Sequence, residues 1–234
     1  MRIALSFALA AAATPLAAQV GHPPATSPYR EIVNGHSFTA VSGYFAGGGG
    51  EFGIGPHNGF VHGVRYDLRA GKTIQFGFSA AQGQLPRYVV DPFVSLDRRV
   101  VGVFDQRTTF ADATVQLNVT GAKTWHRIAP YTGVTFGIAL GKDVAADTSG
   151  YDFGTKFYFA PQLGTRVFLG SNLHLRAELR GVFWKVNYPF SFAEEPVGEP
   201  GTPESPNAVI PDGRLDEWTV SPWVQVGLGY LFRF

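Results

Sequence analysis

The feature that most constrains the fold of this chain is an alternation of residue types with a period of two. In the C-terminal segment every even position is apolar: Val224, Val226, Leu228, Tyr230, Phe232 and Phe234. The odd positions hold Gln225, Gly227, Gly229, Leu231 and Arg233, of which only Leu231 is a large apolar residue. Successive side chains of a β-strand point to opposite faces, so this pattern predicts a strand with one apolar face.

The same alternation recurs upstream and predicts eight strands in all. It is clear in six further segments, near residues 60–69, 74–80, 111–119, 132–140, 157–169 and 173–183. A segment near residues 37–46 is rich in Phe, Val and Tyr, but its two faces cannot be assigned from the sequence. The 29 Gly and 20 Phe beside a single Met also favour strands and turns over helices.

The predicted connections alternate strictly between short and long. The short ones are residues 70–72, 121–128 and 170–172, and the long ones are residues 47–59, 83–107, 141–155 and 188–217. Transmembrane barrels have short periplasmic turns and longer outer loops. The turn at 170–172 pairs Leu169 with Leu173, which places Arg166 and Arg176 on one face. We therefore predict an all-β fold, an eight-stranded antiparallel up-and-down transmembrane β-barrel.

The charged residues indicate which face of each strand points inward. The predicted polar face carries eight that we expect to form an ion-pair network in the lumen: Arg65, Asp67, Arg69, Asp112, Arg166, Arg176, Glu178 and Arg180. An arginine facing lipid at the bilayer midplane would cost about 2–4 kcal/mol, whereas the interior of an eight-stranded barrel is filled by side chains. Aromatic residues at predicted strand ends suggest interfacial girdles, namely Trp125, Tyr188, Trp218, Tyr230 and Phe232. A soluble periplasmic β protein, with the faces reversed, is the alternative.

The N-terminus has the pattern of an export signal. Arg2 precedes an apolar run from Ile3 to Ala13, and small residues around Ala18 offer a cleavage site. The run is shorter than the roughly 20 residues of a spanning helix. We predict a signal peptide at residues 1–18, a flexible periplasmic leader at 19–35 and the barrel at 36–234.

The C-terminus adds a motif of its own. Gly229, Phe232 and Phe234 follow the spacing of glycine, two residues, aromatic, one residue, terminal Phe. This resembles the signal by which the outer-membrane assembly machinery recognises its substrates, although Gly227 stands where the pattern usually has a polar residue. The whole predicted mature chain resembles the small eight-stranded outer-membrane barrels of the OmpA/OmpX type. That resemblance implies localisation to the cell outer membrane, contact with lipid and lipopolysaccharide, and folding by the barrel assembly machinery.

Three functions are compatible with these patterns. The first is a structural or surface-interaction barrel with a side-chain-filled lumen, expected to be a monomer. The second is a narrow channel whose gate is the network of lumen charges, or a carrier for small hydrophobic solutes, since the inward positions Phe110, Val182 and Trp184 become apolar above the charged residues. The third is a lipid A-modifying enzyme, but no His is followed two residues later by a Ser, the pairing used by the deacylases of that class.

Composition argues against other classes of function. A formal net charge of +1 gives no basic surplus for binding nucleic acid. The chain has no Cys, and its six His residues show no metal-ligand spacing, so we expect no metal, no cofactor and no catalytic site. Gly48, Gly50 and Gly53 match a dinucleotide motif, but no helix is predicted after them, which favours a flexible loop. The acidic, proline-rich segment 188–217 is expected to be a mobile loop.

Overall fold

The computed structural model describes residues 26–94 and 96–233, and within them the chain forms a closed antiparallel barrel. Ten strands occur in this part of the chain: β1 (Tyr29–Glu31), β2 (His36–Phe45), β3 (Gly59–Arg69), β4 (Ile74–Val90), β5 (Val100–Asn118), β6 (Lys123–Trp125), β7 (Ile128–Gly141), β8 (Thr155–Phe168), β9 (Leu173–Asn187) and β10 (Asp216–Phe232). Two 3-10 helices, Leu96–Arg98 and Phe190–Ala193, lie in the connections. None of the helices in these residues is long and apolar enough to cross a bilayer.

The barrel consists of β2–β5 and β7–β10, each paired with its sequence neighbours, and β10 closes the ring on β2. The predicted fold class is therefore confirmed. The predicted register is also observed, since Arg166 lies opposite Arg176 in the β8–β9 pair. Two ends can be distinguished. The turn end carries the three short connections, 70–73, 119–127 and 169–172, and the loop end carries the four long ones, 46–58, 91–99, 142–154 and 188–215.

The barrel is apolar outside and polar inside, which is the reverse of a soluble protein. Val226 is 59% exposed on the outer surface of β10, while Gln225 beside it is buried. In β2, whose facing the sequence left open, the odd residues Ser37 and Thr39 are buried in the lumen and the even residue Phe38 is exposed. Each barrel strand has at least 10 residues, enough to cross the hydrocarbon core of a bilayer.

The segment at 83–107, predicted to be a long loop, is mostly strand. β4 and β5 stay paired from Gln84 and Arg107 up to Val90 and Val100, leaving only residues 91–99 as the connection. In this extension the inward positions hold Leu85 and Val89 but also Arg87 and Gln106, and the outward positions mix polar residues and Pro86 with the exposed Tyr88, Val101 and Val103. Polar and apolar residues thus occur on both faces beyond the apolar belt, so the sequence of this extension carries no clear alternation that would indicate a strand.

Part of the expected leader folds onto the turn end. β1 pairs with β6, and the backbone N–H of Ile32 donates to the Ala122 carbonyl at 2.8 Å. The Ile32 side chain is buried in a small cluster with Ala129, Phe168 and Leu231. The last ten residues of the segment expected to be flexible therefore include a short strand and a buried anchor. The predicted signal peptide at 1–18 lies outside the described residues.

Candidate functional site

A cluster of paired charges fills the lumen in the half nearer the turn end. Six side chains form a chain of five ion pairs in the order Arg65, Asp67, Arg176, Glu178, Arg180 and Asp112. We call these six residues the charge cluster. Their side chains are at most 2% exposed. β3, β5 and β9 supply them from inward positions, because alternation brings every second residue of a strand into the lumen.

Glu178 is the centre of the charge cluster. Its Oε2 accepts hydrogen bonds from Arg176 Nη2 at 2.5 Å and from the Tyr131 hydroxyl at 2.8 Å, and its Oε1 accepts one from Arg180 Nε at 2.5 Å. The guanidinium of Arg176 also lies over the Tyr131 ring, 4.4 Å from its centroid. Glu178 thereby fixes two arginines whose other carboxylate partners are Asp67 and Asp112, and Arg176 Nη2 donates in addition to Gln116 Oε1 at 2.9 Å.

The two aspartates bind the arginines on either side of Glu178. Asp67 Oδ1 accepts from Arg65 Nε at 2.8 Å, and its Oδ2 lies 3.4 Å from Arg176 Nη1. Asp112 Oδ2 accepts from Arg180 Nη1 at 3.1 Å and from the Tyr158 hydroxyl at 2.7 Å. Low-dielectric surroundings strengthen such bonds but make an unpaired charge costly.

Neutral side chains complete the layer around the charge cluster. Arg65 Nη1 donates to Thr114 Oγ1 at 3.2 Å, and a hydrogen bond of 2.7 Å joins Thr114 to Thr135. The Thr135 hydroxyl then donates to Gln162 Oε1 at 2.9 Å. Side chains from β3, β5, β7 and β8 are thus bonded to one another across the lumen.

Two of the eight residues predicted for the network have other partners. Arg166 lies in the lumen and donates to Asn118 Oδ1 at 3.0 Å, without an ion pair among the described residues. Arg69 is at the turn end, where its guanidinium donates to the carbonyls of Ile32 and Val33. It thus holds the folded leader segment instead of joining the charge cluster, because it is the last residue of β3 and lies at the edge of the lumen.

A layer of aromatic side chains closes the lumen above the charge cluster, toward the loop end. This aromatic layer consists of Phe45, Phe110, Tyr158, Trp184 and Trp223, none more than 2% exposed. The rings of Phe110 and Trp223 have centroids 4.9 Å apart, and those of Phe45 and Trp184 are 5.4 Å apart. Arg180 lies 5.4 Å from the Trp223 ring, which joins the two layers.

Sequence reasoning found Phe110 and Trp184 but missed Phe45 and Trp223. A signal for Trp223 was present, because it occupies an odd position of β10, on the same face as Gln225. The sequence hypothesis of a small pocket at Phe110, Val182 and Trp184 is not favoured by this geometry. All three side chains are buried in one packed hydrophobic cluster, which is the alternative of simple core filling.

The long connections are folded together at the loop end. Apolar side chains from three of them pack into the cluster that continues upward from the aromatic layer: Ile54, Tyr151, Phe153, Tyr188, Phe192 and Ile210. We call these six residues the loop platform. A buried ion pair of 2.6 Å between Arg87 Nη2 and Asp147 Oδ2 ties β4 to the third long connection. Burial raises the pKa of the Tyr151 hydroxyl well above its usual range.

The expectation of a mobile segment at 188–217 is not met over its length. Phe192 and Ile210 are buried, and the Glu195 carboxylate accepts hydrogen bonds from the backbone N–H groups of Gly201, Asn207 and Ala208. These bonds, with that from Gly201 the largest contribution, lower the pKa of Glu195. Apolar anchors at wide spacing thus order a segment whose average composition is acidic and proline-rich.

The predicted aromatic girdle is present in part. Trp125, Trp218 and Tyr230 are 49%, 62% and 55% exposed on the outer surface. Tyr188, by contrast, is buried in the loop platform, where its hydroxyl donates to Glu217. Tyr188 departs from the predicted position because β9 ends one residue earlier, at Asn187, so strand alternation no longer determines where the Tyr188 side chain points.

Two of the three residues of the predicted assembly signal are described. Phe232 is the last residue of β10 and stacks on His36 with ring centroids 5.7 Å apart. Gly229 faces the lumen, and a Cβ at this position would collide with the ring of His174 and lie 2.6 Å from Thr39 Oγ1. Packing alone is therefore a reason for glycine here. Phe234 lies outside the described residues.

The fold and the lumen define a class: this is a small eight-stranded antiparallel barrel of the outer-membrane type. No protein-family model matches the chain, and no curated protein matches it. Among solved structures it is similar to the outer membrane protein OprG from Pseudomonas aeruginosa, with a TM-score of 0.50, 12% identity, and 89% of this chain and 100% of that chain covered. Neisserial surface protein A aligns with a TM-score of 0.49 and 12% identity over 88% of this chain and 98% of that chain. At such identities the likeness is one of fold.

Proposed function

We propose that this protein is an integral barrel of the outer membrane that does not conduct and that serves a structural or surface-interaction role. The apolar outer surface supports insertion in lipid, because lipid-facing and lumen-facing residues alternate in such barrels. By the same rule the turn end faces the periplasm and the loop end faces the outside. In this proposal the chain is exported by its N-terminal segment, folded by the assembly machinery and inserted as a monomer among lipid and lipopolysaccharide.

The observation that carries the proposal is the double closure of the lumen. The charge cluster spans it from β3 to β9 with every member paired, and the aromatic layer lies directly above. An ion passing through would have to displace buried ion pairs and then cross packed aromatic rings. Breaking a buried ion pair costs several kcal/mol, so spontaneous opening is expected to be rare.

The loop end supports the surface-interaction role. The loop platform orders the exposed parts of three long connections before any partner binds, which lowers the entropic cost of binding. The outward positions there include several acidic residues, namely Glu51, Glu194, Glu199, Glu204 and Asp212. We infer that such a surface favours a cationic partner, or one bridged to it by divalent cations.

Conductance of the purified full chain in a planar bilayer tests the closed lumen. We expect no discrete current steps from the unaltered protein. Current steps that appear with the variant Glu178→Ala would identify the charge cluster as the closure. Steady conductance of the unaltered protein would contradict the proposal and favour the channel alternative. Saturable binding of a dansyl fatty acid would favour the carrier. A change in the lipid A mass spectrum when the protein is expressed would favour the enzyme.

A further inference from the structure

The turn end carries a concentration of positive charge. Within residues 26–94 and 96–233, the charged residues at this end are the acidic Glu31 and six basic ones, namely Arg30, Arg69, Lys72, Lys123, Arg127 and Arg233. All except the half-buried Arg69 are exposed. Since the chain as a whole is nearly neutral, positive charge is concentrated at the turn end and is balanced by negative charge elsewhere in the chain. A basic surface of this kind attracts anions.

A pocket of about 400 Å³ opens within this basic surface. It lies between β1, the β6–β7 turn and the β8–β9 turn, and its polar lining includes Arg30, Arg127, Thr124 and Ser171. Neither guanidinium makes an ion pair with any residue in the described parts of the chain. The pocket therefore offers two cationic groups that make no ion pair within this part of the chain, and the acidic residue of its lining is Glu31. The hydroxyls of Thr124 and Ser171 donate to the Arg30 carbonyl and to Asn172 Oδ1, respectively.

The register of β1 and β6 explains why the pocket is positive although Glu31 borders it. Arg30 lies opposite Thr124, so alternation puts these two on the same face as Ile32. Glu31 lies opposite Lys123, on the other face of the pair. The Glu31 side chain thus leaves the strand on the face opposite to that of Arg30, next to Lys123, although Glu31 still lines the pocket.

Arg127 is held in an unusual backbone conformation. It and His126 form the two-residue β6–β7 turn with φ of 69° and 48°, values for which such turns usually use Asn or Gly. The turn is pinned on both sides, since the His126 N–H donates to the Pro28 carbonyl at 2.9 Å and the Phe168 N–H donates to the Arg127 carbonyl at 2.8 Å. The Arg127 side chain is therefore presented from a fixed position at the rim.

The pocket is amphipathic and adjoins the oily outer surface. Phe168 and Ile32 supply the apolar part of its lining. On the outer surface of the same strand end, Leu169 is 49% exposed, and Trp125 on β6 is exposed to the same extent. Trp is enriched where a membrane meets water, which places the rim at the level of lipid headgroups.

We propose that this pocket binds the phosphate headgroup of an anionic phospholipid from the leaflet that faces the periplasm. Arg30 and Arg127 donate charge-assisted hydrogen bonds to the phosphate oxygens, and the acyl chains follow the apolar outer surface beside Leu169. The proposal rests on the membrane placement proposed above. It adds a lipid site at the turn end that is separate from the surface role of the loop end.

Native mass spectrometry of the full chain from mixed micelles tests the site, with phosphatidylglycerol and phosphatidylcholine as probes. We expect preferential retention of phosphatidylglycerol. The double variant Arg30→Gln/Arg127→Asn is expected to weaken the retention of phosphatidylglycerol about tenfold or more, since hydrogen bonds to charged groups are among the strongest. Asn is chosen at position 127 because it suits the positive φ of the turn. Lys72→Gln/Arg233→Gln removes the same charge from the turn end outside the pocket and should change retention by about twofold at most because of screening.

Three results would overturn the site. The first is equal retention of the two lipids, and the second is an equal loss of retention in the two double variants. The third is competition by inorganic phosphate that is as effective as competition by phosphatidylglycerol, because this result would indicate a site for free phosphate. Binding to isolated peptidoglycan that is lost only in the pocket variant would assign the pocket to another ligand. Heat-modifiable migration after insertion into vesicles is measured in parallel, so a failure of membrane insertion is distinguished from a failure of lipid recognition.

Discussion

The most informative perturbation of the lumen is Glu178→Gln, which keeps the volume of the side chain and removes its charge. The amide can still accept from one arginine, but it presents an N–H₂ group to the other. In the charge cluster together with Arg166, four arginines face three carboxylates in the unaltered protein. In the variant the same four arginines face two carboxylates. Removing one partner of a buried ion pair typically costs about 3–5 kcal/mol. Because Arg176 keeps Asp67 at 3.4 Å and Arg180 keeps Asp112 at 3.1 Å, we expect the lower end of that range.

The assay is equilibrium unfolding in urea of the purified chain in detergent micelles, followed by tryptophan fluorescence. A loss of about 3 kcal/mol corresponds to roughly a hundredfold change in the unfolding equilibrium constant. The matched control is Asp216→Asn, the same carboxyl-to-amide change in the half-exposed pair of Lys185 and Asp216, which are 3.0 Å apart. Exposed pairs contribute less than about 1 kcal/mol. Equal, small losses in the two variants would refute the view that the charge cluster is a tightly paired closure.

Three further predictions concern other parts of the chain. Gly229→Ala should reduce the folded yield in vesicles because its Cβ collides with the His174 ring and with Thr39 Oγ1, and His174→Ala with Thr39→Ala in the same chain should restore the yield; no rescue would show that packing is not the reason for glycine at this position. Trp184→Ala should lower the free energy of unfolding by about 3–5 kcal/mol through the cavity left in the aromatic layer, whereas Trp218→Ala on the outer surface should lower it far less; equal losses would contradict the packing. Glu195 has a lowered pKa, so its contribution to loop order is present above the ordinary carboxyl pKa of about 4.3 and is lost as the pH falls through the lowered value. Hydrogen exchange of the three amides bound to it, compared at each pH with Glu195→Gln, should show that difference disappear in acid; a pH-independent difference would contradict the assignment.

Much of the candidate site was predictable because it lies on regular strands. Alternation alone put Arg65, Asp67, Arg176 and Glu178 on one face, and the short turns set their order along the lumen. The partners of Arg69 were not predictable in this way. Arg69 occupies an odd position of β3, like Arg65 and Asp67, but it lies at the strand end beside the leader segment. Its partners are carbonyls of residues more than 30 positions away in sequence, a contact for which no periodic pattern exists.

The sequence by itself determined the number of barrel strands, their antiparallel order and, for every barrel strand except β2, which residues of the apolar belt face outward, because a period of two and the spacing of turns are local properties that each strand carries independently. Tertiary structure decided which charges pair, how far β4 and β5 continue, and how the long connections fold. Those outcomes depend on side chains that meet across the ring: Arg176 reaches Asp67 of β3 and Arg180 reaches Asp112 of β5 only when the barrel closes, and Phe192 becomes buried only because the barrel ends in an aromatic surface that can cover it.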